Sequence, residues 1–128
     1  MKAMSGKKWL AILLAGCFLS EAASAVSDSE MQAAVEKFAD CAFRSSVSLI
    51  SPSALAEDIA VASIARCSSE EADYARLMQV WMVGKTSGSA RAERLAAERV
   101  EINRAKFREN IKGQIIGMVL ESRAEAAQ

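Results

Sequence analysis

CAFRSSVSLISPSALAEDIAVASIARC, residues 41–67, is the stretch on which the fold turns. Cys41 and Cys67 are its ends, Ser51-Pro52-Ser53 lies near its middle, and Pro52 is the only proline in the chain. Proline has no backbone N–H and restricts the residue before it, so it ends one helix and lets another begin. Two thiols on either side of such a turn predict a helical hairpin closed by one disulfide, given an oxidising compartment.

The first 25 residues point to that compartment. Lys2, Lys7 and Lys8 precede an apolar run from Trp9 to Leu19, and small residues follow, ending Ala23-Ser24-Ala25. This is the layout of a secretory signal peptide over residues 1–25, with cleavage before Val26 and a periplasmic or secreted product. The apolar run is too short for a bilayer, which takes about 20 residues, so no membrane span is expected after processing. Leu14-Ala15-Gly16-Cys17 also resembles the lipobox of bacterial lipoproteins, which makes lipidation at Cys17 the alternative. Phe18 and Leu19 weigh against it by carrying the apolar run past the cleavage point. Either route removes Cys17 from pairing and leaves Cys41 with Cys67.

Residues 26–128 read as a single all-α domain, a three-helix antiparallel bundle with helices at about 28–49, 53–83 and 90–127. Alanine and straight-chain residues dominate, and no stretch alternates with the strand period of two. Ser27-Asp28-Ser29-Glu30 has capping-box spacing, and Met31, Ala34, Val35, Phe38, Cys41 and Ala42 then recur at threes and fours. In the second helix Ala60, Ile64 and Cys67 fall opposite Leu55, Ile59 and Ala62, as expected of a middle helix. Ser68-Ser69-Glu70-Glu71 is either a fresh capping box or an exposed turn of the same helix. Tyr74, Leu77, Met78, Trp81 and Met82 continue a core stripe to Gly84. Gly84-Lys85-Thr86 lacks the earlier glycine of a phosphate loop, since Gln79 stands there, and no strand precedes it, so it reads as a helix–helix loop.

The long C-terminal helix carries two stripes. Val100, Phe107, Ile111, Ile115, Met118 and Val119 share a core face, while Leu95, Ile102, Ile116 and Leu120 sit near the opposite side. One helix cannot bury both against a single hairpin, so the second stripe, beside Gly113 and Gly117, is the expected association surface. The competing accounts are a bend at Gly113, or apolar residues of the ordinary scattered kind. Arginines 91, 94, 99, 104 and 108 interleave with Glu93, Glu98, Glu101 and Glu109 and suggest a solvated, ion-paired surface. Residues 26–128 hold 13 basic and 15 acidic side chains, so nucleic acid is not an expected partner.

The chain contains no histidine, which excludes Ser–His and Cys–His nucleophiles and histidine metal sites. With both cysteines oxidised no thiolate remains, and no cofactor or metal is expected. Glu57-Asp58 and Glu70-Glu71-Asp73 stand at helix starts, where the helix dipole favours acids, and read as caps before they read as acid–base pairs. The run from Cys41-Ala42 through Leu49, Ser53-Ala54, Ile59-Ala60 and Cys67 resembles small exported helical bacterial proteins of unknown function with a two-cysteine N-terminal hairpin. That resemblance implies a structural cysteine pair and transfers no activity. The expected role is protein–protein contact or self-association, as an interaction, structural or holdase-like protein. The alternative is a small envelope-modifying hydrolase using carboxylates or a Ser–Lys pair.

Overall fold

The computed structural model describes residues 26–85 and 88–128, so the expected signal peptide, residues 1–25, and Cys17 within it lie outside the described residues. The described secondary structure is helical throughout: α1 (Asp28–Leu49), α2 (Ala56–Arg66), α3 (Ser68–Gly84) and α4 (Ala90–Ala126). Four helices stand where the sequence pattern predicted three. The second predicted helix starts later, because residues 50–55 form a turn in which Ser51 Oγ accepts from the Ala54 amide at 3.2 Å. It then divides at Cys67, whose φ of −103° and ψ of 29° leave helical geometry and whose N–H turns back to the Ile64 carbonyl at 3.0 Å. Cys67 thus closes α2 and opens α3.

At the start of α1 the capping box is formed. Ser27 Oγ accepts from the Glu30 amide at 3.2 Å, and the Glu30 carboxylate accepts from the Ser27 amide at 2.9 Å. A cap of this kind is worth about 1 kcal/mol. Met31, Ala34, Phe38 and Ala42 are buried along one face. Ser46 extends that face because its hydroxyl, donated to the Phe43 carbonyl at 2.6 Å, is satisfied within the helix. The Cys41 and Cys67 sulfurs lie 2.05 Å apart, at disulfide distance, with their Cα atoms 5.9 Å apart. In the chain-entropy account, closing a loop of this size stabilises the fold by roughly 3–4 kcal/mol.

Helices α2 and α3 run end to end as a bent rod between α1 and α4, each of which packs along both halves. The outer helices meet little, chiefly where Phe38 touches Phe107 at a ring separation of 5.7 Å. Tyr74 of α3 completes an aromatic cluster, 6.3 Å from Phe38 and 5.3 Å from Phe107.

Helix α4 runs unbroken through Gly113 for 37 residues, about 55 Å at 1.5 Å per residue. Its buried residues include Val100, Ile111, Ile115 and Val119. Steps of four residues overshoot one turn by about 40°, so the buried stripe winds round the helix. The first half of α4 therefore faces α3, with Arg104 and Arg108 on Glu71. Its second half faces α2 and the 50–55 turn: Lys112 pairs with Glu57 at 2.8 Å, and Arg123 donates to the carbonyls of Ser51 and Ala54.

Candidate interaction surface and disulfide groove

The winding of the buried stripe decides which apolar residues of α4 remain in water. Leu95, Ile102 and Leu120 are 55, 47 and 54% exposed. Ile116, grouped with them by the wheel, is half-buried and packed against the core, because by that point the buried face has turned toward it. The pattern assigns four residues to one surface, and the structure leaves three of them about half exposed. Space is open above Gly113 and Gly117, where an added Cβ would meet nothing within 4 Å. Helix-interior glycine costs about 1 kcal/mol against alanine, and no contact among the described residues accounts for either one. Val47, Leu55 and Val61 are also exposed. Leu55, expected on an apolar side of the second helix, instead precedes α2 as its N-cap.

Two of the α4 arginines do more than face solvent. Glu71 is only 4% exposed, and one carboxylate oxygen accepts from Arg104 Nε at 2.7 Å and from Arg108. The Glu71 hydrogen bond, more than its charge, holds the Arg104 guanidinium even more firmly protonated than usual. From sequence, Ser68-Ser69-Glu70-Glu71 is either a capping box or an exposed turn, and neither reading buries Glu71, whose partners lie 33 and 37 residues away. No local pattern signals such a pairing.

A second long-range link joins the start of α1 to the end of α3. The Trp81 indole N–H donates to Asp28 at 2.6 Å, and Lys85 lies 3.6 Å from the same oxygen and 3.8 Å from the Trp81 ring centre. The indole hydrogen bond first, then the lysine, holds the Asp28 carboxyl below its ordinary range. Glu57 is likewise lowered, by its hydrogen bond from Lys112 and that cation's charge.

Tyr74 shifts the other way. Burial, assisted by the Glu71 charge, raises its hydroxyl above the usual phenolic range. The folded value exceeds the unfolded one of about 10, so Tyr74 adds stability that is full below pH 10 and lost as pH climbs through the folded value. Melting temperatures taken from pH 8 upward should therefore fall in the alkaline range, and Tyr74→Phe should flatten that limb. An unchanged limb in the variant would assign the effect to other groups.

Between α1 and α3 lies a groove of about 740 Å³. Its floor includes Ala33, Ala34, Cys41 and Leu77, and its walls carry both charges, Lys37, Arg44 and Arg76 among Glu30, Asp40 and Asp73. Cys41 is half-buried, whereas Cys67 is 0% exposed. Glu70 places a carboxylate oxygen within 4.8 Å of both sulfurs, and Ser45 Oγ lies 3.7 Å from Cys67 Sγ. Two thiolates and a carboxylate at this spacing have the composition of a metal site, but sulfurs bonded to each other offer no thiolate.

The carboxylates singled out from sequence are partly engaged elsewhere, Glu57 by Lys112 and Glu71 by the two arginines. The buried hydroxyls of Ser46 and Ser63 donate to the Phe43 and Ile59 carbonyls. Among the described residues no helix is long and apolar enough to cross a membrane. Compared with known proteins, the chain matches no family model, no curated protein and no solved structure.

Proposed function

We propose that this is an exported, periplasmic or secreted, helical protein that acts by protein–protein contact, with the outward face of α4 as its contact surface. The supporting observation is the line of large apolar side chains, Leu95, Ile102 and Leu120, that α4 holds in water on the side away from α2 and α3. They flank the open glycines, so a partner helix could approach the backbone closely there. A partner of this kind is another apolar helix, from a second copy of the chain or from a client.

Ile102→Asp tests the reading by light scattering and by capture of an unfolding client. It should leave the melting curve within about 0.5 kcal/mol of wild type, as surface changes do, while abolishing self-association or capture. Ile115→Asp, placing a charge where the side chain is 0% exposed, should unfold the domain. A wild-type protein that stays monomeric and captures no more client than Ile102→Asp would end the proposal.

A further inference from the structure

We infer that the Cys41–Cys67 pair is a thiol–disulfide exchange site, entered from the α1–α3 groove, whose substrates are small peptide thiols carrying both carboxylate and ammonium groups. This inference is independent of the contact role of α4.

The two sulfurs differ in access. Cys41 lines the groove and Cys67 is sealed from solvent, so an incoming thiolate reaches Cys41 Sγ alone. Exchange proceeds by attack of thiolate on one sulfur with departure of the other, so attack at Cys41 makes Cys67 the leaving sulfur. Cys67 joins α2 to α3, its sulfur takes no hydrogen bond from the α3 N-terminus, and the Ser45 hydroxyl, 3.7 Å away, is within reach to donate to it. A Glu70 carboxylate oxygen lies within 4.8 Å of both sulfurs, placed to accept a hydrogen bond from the Cys67 thiol once it forms. The mixed charge of the walls suits a zwitterionic peptide better than an uncharged thiol.

The step balances. A substrate thiolate forms a bond to Cys41 Sγ as the Cys41–Cys67 bond breaks, and Cys67 departs as thiolate and takes up a proton. A second substrate thiol attacks the mixed disulfide at the substrate sulfur and releases Cys41. Two substrate thiols are thereby oxidised to one disulfide, and the protein pair is reduced by two electrons and two protons. The reverse sequence reoxidises the pair with the substrate's disulfide.

Glutathione is the probe. With folded wild-type protein in buffer without denaturant, reduction should be first order in glutathione. It should also run faster than with mercaptoethanol at equal thiolate concentration. Cys67→Ser with oxidised glutathione should accumulate an adduct on Cys41, by intact mass and peptide mapping. Cys41→Ser should form its Cys67 adduct at least about tenfold more slowly, as accessibility dictates. Reduction only in denaturant, or at a rate independent of thiol concentration, would overturn the site, and this reading needs only the wild-type chain. Equal adduct rates in the two serine variants would overturn the assigned direction of attack. Equal rates for glutathione and mercaptoethanol would overturn the substrate class.

Discussion

An Arg104→Met, Arg108→Met double variant should be less stable than wild type by about 3–5 kcal/mol, the scale expected when a buried charge loses its partners. Glu71 is the reason, since its side chain is 5% exposed and both of its cations come from α4. Removing Glu71 is the milder lesion. The side chains of Arg104 and Arg108 are 29 and 46% exposed and already reach water, so Glu71→Ala should cost less than the double variant. Replacing all three members by apolar residues of similar size should come out close to neutral, because desolvation of the carboxylate offsets most of what the ion pairs return. Urea denaturation of the three variants gives the ordering. A double variant within about 1 kcal/mol of wild type would show that the carboxylate finds solvent when the arginines are gone.

Phe38→Ala should be of similar size, about 3–5 kcal/mol. The ring is 0% exposed, stacks near Tyr74 and meets Phe107 of α4 edge-on. Truncation leaves a cavity bordered by three helices, which cannot close on it without moving together. Phe38→Leu keeps most of the volume and should cost about 1–2 kcal/mol, between a volume-conserving swap and full truncation. Thermal melts followed by near-ultraviolet circular dichroism report both unfolding and the aromatic packing. If Phe38→Ala melts as Phe38→Leu does, the cavity collapses and the cluster is softer than its geometry implies.

Helix α1 was legible because its cap and its buried stripe are local patterns. Ser27 and Glu30 cap each other across three residues, and Met31, Ala34, Phe38 and Ala42 bury one face against neighbours that stay put. The cysteine pair was legible by count, two thiols around one turn. The break at Cys67 was only half visible: the Ser68-Ser69-Glu70-Glu71 run suggested a new start, but without its tertiary setting it could also continue a helix. On α4 a fixed wheel divides residues into two sides for the whole length. The real neighbours change along that length from α3 to α2, so Ile116 joins the core while Ile102 does not. Glu71 was misread because a glutamate in a first turn is ordinarily solvated. The groove beside Cys41 likewise comes from how α1 and α3 lie together, which no spacing in either helix expresses.

The winding stripe of α4 also bears on the order in which the fold can be made. Val100, Ile111, Ile115 and Val119, together with the Arg123 link to the 50–55 turn, all lie beyond the first three helices in the chain. A polypeptide emerging from its N-terminus can form α1, α2 and α3 and bring Cys41 near Cys67, but one whole side of the bent rod stays bare until α4 follows. Completion is therefore late and all at once, since folding units close only when their last contacts exist. A chain stopped short of Val119 would carry its disulfide and three helices yet remain a hydrophobic, half-covered intermediate, the kind of species that proteases and chaperones recognise first.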